Sequence, residues 1–187
     1  MEILKKKNAN IKKIVTALEN GAVVVCPTDT VYGFLADATN KKAVDRIYKI
    51  KKRSKTKPLP VFVKDFKMAK ELAEIDEKHA KALKSKWPGK YTFILNKKKV
   101  KLYGTDKNTI ALRIPKYKFL NDLLKKINKP LVQTSVNISG NSTLAKISDI
   151  IEQFGKYDII IIDAGNLKKS KPSKIIDLTN NNKIIRN

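Results

Sequence analysis

The chain has little of what many enzymes use for chemistry. It holds one cysteine, Cys26, and one histidine, His79, among 187 residues. A single cysteine excludes an internal disulfide and any multi-cysteine metal site. With one histidine there is also no zinc ligand set. No apolar run approaches the roughly 18 residues of a membrane span. The opening residues Met1 to Lys7 lack the apolar stretch of a signal peptide, so a cytoplasmic protein with no membrane partner is expected. The seven glycines are scattered singly. Neither a Gly-x-x-x-x-Gly-Lys-Ser/Thr loop nor a Gly-x-Gly-x-x-Gly turn is present, so any grip on phosphate must come from side chains and short turns. His79 lies in a lysine-rich helical segment and Cys26 ends a buried strand. Neither has the partners of a nucleophile or base, and catalysis is expected to work by positioning and charge neutralisation.

Acidic residues are scarce as well: 17 against 41 basic ones, for a formal net charge of +24. Such a balance attracts nucleotides, nucleic acids and acidic surfaces. Only four of the basic residues are arginine, namely Arg46, Arg53, Arg113 and Arg186. Lys, Asn and Ile are all abundant, as coding drift in an A/T-rich genome would produce. The rare arginines therefore carry more information than the many lysines, because a planar guanidinium grips carboxylate or phosphate with two parallel bonds.

The apolar pattern predicts helices over 11–19, capped by Asn10, from Asn40 to about Lys51, over 65–84, after Pro115, and over 148–154. Strands are expected over 22–26, 59–63, 91–95, 109–114, 131–134, 158–163 and 174–178. This alternation, with no linker or composition shift, predicts one α/β domain over residues 1–187, its twisted mixed sheet flanked by helices. Three segments end strands with polar turns: Pro27-Thr-Asp-Thr-Val-Tyr-Gly33, Ile110-Ala-Leu-Arg113 and Thr134-Ser-Val-Asn-Ile-Ser-Gly140. Ligands of open α/β sheets bind beyond the carboxyl ends of strands, so these read as a binding edge. The run Lys51 to Lys57 holds five cations in seven residues. It reads either as a solvated basic loop or, with Lys51, Arg53 and Lys57, as a neutraliser of a triphosphate.

These segments, with Trp87-Pro-Gly-Lys-Tyr-Thr92 and Pro172-Ser-Lys-Ile-Ile-Asp177, occur in an order that resembles the YrdC/TsaC family of threonylcarbamoyl-AMP synthases across about residues 10 to 186. The resemblance implies a YrdC-like sheet with a basic concave face. It implies an enzyme that joins L-threonine, bicarbonate or CO₂ and ATP into threonylcarbamoyl-adenylate and pyrophosphate, with Mg²⁺ accompanying ATP. The product feeds the N6-threonylcarbamoyl modification of adenosine 37 in tRNA. The further partners implied are proteins of that pathway and tRNA, or double-stranded RNA more generally, on the basic face. The family pattern assigns Thr30, Arg53, Arg113, Ser135 and Ser173 to threonine. It assigns Lys51, Lys57, Thr109, Asn137 and Arg186 to ATP, with Lys51 and Arg53 of the Lys-x-Arg signature as catalytic cations. Many members carry histidine where this chain has Phe62, and Ser-Thr where it has Ser173-Lys174. Longer members append a second domain; this sequence ends at Asn187, so a less enclosed site is expected. Two other readings stay open: an RNA-binding module using the same surface without chemistry, and a relative acting on a phosphorylated sugar, which would need clustered carboxylates for Mg²⁺.

Overall fold

A computed structural model describes residues 1–168, 170–180 and 182–186. Among these residues ten strands form one mixed sheet: β1 (Glu2–Lys5), β2 (Val24–Cys26), β3 (Gly33–Asp37), β4 (Val61–Phe62), β5 (Tyr91–Asn96), β6 (Thr109–Arg113), β7 (Leu131–Ser135), β8 (Ile160–Asp163), β9 (Lys174–Asp177) and β10 (Lys183–Arg186). Their order is β1-β8-β2-β3-β7-β4-β6-β5-β9-β10. Among the described residues six α-helices flank it: α1 (Ile11–Glu19), α2 (Lys41–Lys51), α3 (Phe66–Leu72), α4 (Glu77–Lys84), α5 (Lys118–Ile127) and α6 (Ile147–Phe154).

Strand alternation divides the core in two. Val23, Val25, Phe34, Ala36 and Ile161 point to one face, under α2, α3, α4 and α6. Val24, Cys26, Leu35 and Ile162 point to the other, under Ile14, Val15 and Leu18 of α1 and Leu120, Leu123, Leu124 and Ile127 of α5. Both faces are covered here, which is why Val23–Cys26 reads as an unbroken apolar run. On β6, Ile110 and Leu112 join the first face. Thr109, Ala111 and Arg113 therefore face the same side as α1 and α5, but these residues line a cleft instead of lying under a helix.

Local signals set the helix starts. Asn10 Oδ1 accepts from the Lys12 and Lys13 amides at 2.9 and 3.4 Å, and Asn40 Oδ1 from Ala43 at 3.1 Å. Such caps satisfy amides that have no partner inside the helix. The single helix expected over 65–84 is two. Ala73 leaves α3 to bridge Lys97, the Glu74 amide donates to Asn96 O at 2.9 Å, and Asp76 caps a fresh start at His79 N. Strands β1, β3 and β10 have no counterpart in the sequence reading. At the first residue of β3, Gly33, a Cβ would lie 3.4 Å from Thr134 O. Glycine lets β3 and β7 approach closely where the binding edge begins.

Candidate active site

Residues from β7 to β10 along the sheet meet at a cleft of about 310 Å³. Its floor is β6, through Thr109, Ala111 and Arg113, with Ile94 of β5 and Ile175 of β9 beside it. One wall is the Lys51–Pro60 segment and the Gln133–Gly140 strand end. The other is Pro172, Ser173, Ile185 and Arg186. Along β6 the apolar Ala111 separates the polar ends marked by Thr109 and Arg113.

Lys51 ends α2 and is only 1% exposed. Its ammonium donates to Ser135 O at 2.6 Å, Asn137 O at 2.9 Å and Asn137 Oδ1 at 2.7 Å. All three N–H groups are thereby engaged. Burial, and then the nearby Arg53 charge, push its pKa from 10.5 down to about 7. Ser135 Oγ donates to the same Asn137 Oδ1 at 2.8 Å, and Asn137 Nδ2 donates to Asn141 O at 2.6 Å. The buried cation thus fixes the polar turn after β7. This differs from the expectation of an ammonium free to meet phosphate.

Arg53 donates from Nε to Lys57 O at 3.1 Å and from Nη2 to Pro58 O at 3.0 Å. It shapes the cationic loop while lining the cleft. Lys57 is the one assigned residue that does not line it. Its carbonyl receives Arg53 and the Tyr48 hydroxyl, and the residue is exposed. The sequence pattern assigns Lys57 to ATP; its side chain stands exposed outside the cleft lining.

Arg113 is 2% exposed. Its Nη2 meets Asp29 Oδ1 at 2.6 Å, its Nε donates to Gly89 O at 2.9 Å, and Nη1 lies 3.4 Å from Thr30 Oγ1. Burial lowers its pKa, and the Asp29 charge opposes that. The free fork expected of Arg113 is therefore partly occupied. Phe62 packs against it, the guanidinium carbon 5.6 Å from the ring centroid. A histidine there would offer polar atoms; phenylalanine offers a π-face to a cation. Thr30 is held in turn by Thr28, whose Oγ1 accepts the Thr30 amide at 3.0 Å.

Across the cleft, Arg186 donates from Nε and Nη2 to Ser173 O at 3.0 and 2.8 Å, and Ser173 Oγ lies 2.8 Å from Thr92 Oγ1. Burial lowers the Arg186 pKa, and the charges of Arg113 and Arg53 lower it further. Three of the four arginines thus converge on one space. At the far end Asp106 Oδ1 accepts from the amide and hydroxyl of Thr109 at 2.9 and 3.2 Å. Two carboxylates near the site went unassigned in the sequence reading. Asp29 lay within a quoted motif, whereas Asp106 sits in a lysine-rich loop that gave no signal. No group of three or more His, Cys, Asp or Glu among the described residues could hold a metal ion.

Cys26 and His79 stand outside this cleft. Burial pushes the Cys26 thiol far up, which disfavours the thiolate. Cys26→Ser and His79→Ala are each expected to keep turnover within about threefold of wild type, since neither touches the polar ends of the cleft. A loss beyond tenfold in steady-state kinetics at unchanged fold would bring either residue into the chemistry.

This fold is that of a known family. Residues 16–187 match the Sua5/YciO/YrdC family model, described as "Telomere recombination", and the chain belongs to that family. It is 28% identical over 174 residues to the threonylcarbamoyl-AMP synthase of Vibrio vulnificus, covering 90% of this chain and 94% of that one. It superposes on E. coli YciO with a TM-score of 0.87 at 27% identity, covering 99% of this chain and 93% of that one. It superposes on Pyrococcus abyssi Sua5 complexed with L-threonine with a TM-score of 0.84 at 29% identity. That match covers 95% of this chain and 54% of Sua5, so the chain spans about half of the longer protein. No helix among the described residues is long and apolar enough to cross a membrane.

Proposed function

We propose that the cleft joins L-threonine, bicarbonate or CO₂ and ATP into L-threonylcarbamoyl-adenylate and pyrophosphate, a nucleotidyl transfer serving N6-threonylcarbamoyladenosine at position 37 of tRNA. The observation that carries this reading is the convergence of Arg53, Arg113 and Arg186 with Thr30, Ser135 and Ser173 on one cleft. Three guanidinium groups suit a substrate pair bearing a carboxylate and a triphosphate. The hydroxyls suit the hydroxyl and amine of threonine. The apolar floor of Ile94, Ala111 and Ile175 suits a base, and the synthase name of the full-length Vibrio relative points the same way.

In this reading the threonine nitrogen adds to CO₂, a C–N bond forms and the amine proton is lost. A carbamate oxygen then attacks the α-phosphorus of ATP and pyrophosphate departs with the bond electrons. Arg113, Arg53, Thr30, Ser135 and Ser173 hold threonine; Thr109, Asn137 and Arg186 hold ATP. Lys51 acts through the Ser135–Asn137 turn. Charge developing at the phosphates is stabilised by fixed cations, which is the larger part of such catalysis. Asp106, the carboxylate lining the cleft, would face a Mg²⁺ bound with ATP, which would supply charge neutralisation at the phosphates. The reading carries a cytoplasmic setting and hand-over of the adenylate to proteins of the same pathway. Pyrophosphate release that requires threonine and bicarbonate together is the test. Release without threonine, or none with all three substrates, would sink it.

The lysine surface is a separate matter. If most of its charge is coding drift, tRNA binding is weak and steeply salt-dependent, whereas adenylate synthesis in a half-buried cleft changes far less. Binding through six to ten phosphate contacts loses about 10³–10⁵ in affinity between 50 and 200 mM salt. Tight tRNA binding at the upper salt, selective for tRNAs with A37, would show instead a face adapted to RNA.

A further inference from the structure

Asp29 is the one acidic residue in a buried ion pair with a cleft arginine among the described residues. Its side chain is 8% exposed and Arg113's is 2% exposed, and they meet at 2.6 Å. The other oxygen, Oδ2, accepts from the Lys116 amide at 3.2 Å. Asp29 does not line the cleft, so it reaches a bound substrate only through another group. That group is Arg113, whose Nη1 lies beside Thr30 while Nη2 and Nε are held by Asp29 and Gly89.

We infer that Asp29 is a positioning residue for threonine recognition: it occupies one arm of Arg113 so that the other, Nη1, faces the cleft beside Thr30. This rests on the reading of the cleft as a threonine site. Arg113 then meets the substrate carboxylate with one arm rather than two, and hydroxyls of the cleft supply the remaining contacts. Two features favour aiming over simple charge relief. The carboxylate is itself fixed at both oxygens, by Arg113 and by the backbone after β6. It also stands directly before Thr30, so one short loop carries both the hydroxyl and the group that aims the guanidinium.

The two roles predict opposite signs. If Asp29 only relieves charge, removing its charge makes the cleft more cationic and tightens carboxylate binding. If it aims Arg113, threonine binding weakens. Asp29→Asn is expected to raise the KM for threonine about tenfold or more, the size of effect that attends a lost charge-assisted hydrogen bond. The KM for ATP and kcat at saturating threonine are expected to stay within about threefold, a split that a general loss of structure does not produce. In an Arg113→Lys background, Asp29→Asn should add less than about twofold, because residues acting through one another are not additive. An unchanged or lowered threonine KM, or an equal rise for both substrates, overturns the inference. Should Asp29→Asn fail to fold, Asp29→Glu keeps the charge and moves it by one methylene. An intermediate rise in threonine KM supports aiming, and a wild-type value sinks it. Threonine-dependent pyrophosphate release by the wild-type protein, run alongside, tests the underlying reading. Its absence removes that reading, whereas its presence with an indifferent Asp29→Asn removes the role of Asp29 alone.

Discussion

Arg113→Ala is expected to lower kcat/KM for threonine by about 10²–10⁴-fold and to lower the melting temperature as well. Both effects come from one geometry. The variant removes the donor beside Thr30 and leaves Asp29 buried without its cation. Breaking a buried pair by deleting one partner costs about 3–5 kcal/mol, because the remaining charge is uncompensated. For a protein of this size that corresponds to a fall of about 6–20 °C. The double variant Arg113→Ala, Asp29→Ala separates the two effects. With neither charge present the stability penalty should shrink, while the loss of activity persists. Thermal melts and threonine-dependent pyrophosphate release on the three proteins give the comparison. Near-normal kcat/KM in Arg113→Ala would remove the arginine from substrate binding. A double variant as unstable as Arg113→Ala would show that the melt reports lost packing instead of an orphaned charge.

How far the sequence foretold this site depends on what each residue's neighbours are. The Pro27–Gly33, Ile110–Arg113 and Thr134–Gly140 segments are strand ends with local turn chemistry, and short-range patterns report such places well. Helix α1 and its Asn10 cap follow from residues within one turn of each other. The misses share a different cause. Strand β3 is fully buried between β2 and β7, and its Phe-Leu-Ala core could equally belong to a helix. The break between α3 and α4 depends on Asn96 and Lys97, at and just past the end of β5 and more than 20 residues on, capturing Glu74 and Ala73. In the site, residue types pointed to Lys51, Arg53 and Arg113 as cations beside anions. What they could not show was which hydrogen-bond donors the protein itself engages. Three carbonyl or amide oxygens around Lys51, two loop carbonyls on Arg53 and the Asp29 carboxylate on Arg113 all come from contacts that the fold alone brings together.

Lys51→Met carries the second large effect. Methionine keeps most of the stem but supplies no donor, so Ser135 O, Asn137 O and Asn137 Oδ1 lose the ammonium they share. Buried polar groups left unsatisfied cost about 1–3 kcal/mol each. Partial compensation between neighbours, and relief from desolvating a charge, bring the expected net loss to about 2–4 kcal/mol. ATP affinity should fall with it, since Asn137 takes its position from this cation. The pH dependence works in two directions. Burial and Arg53 lower the Lys51 pKa from 10.5 to about 7. Between those values the unfolded chain holds a proton that the native one lacks. The contribution of this group to stability therefore rises with pH across that window, by at most about 1.4 kcal/mol per unit, and the penalty of a buried charge is fully present below pH 7. The turn responds oppositely. Above pH 7 a neutral amine offers two N–H groups to three acceptors, one oxygen faces a lone pair, and the grip on Asn137 loosens. Wild-type ATP affinity, measured by calorimetry from pH 7.5 to 9.5, is expected to decline over the range in which urea unfolding shows wild type gaining stability relative to Lys51→Met. If both quantities stay flat over that range, Lys51 remains an ammonium throughout and its three acceptors outweigh its burial.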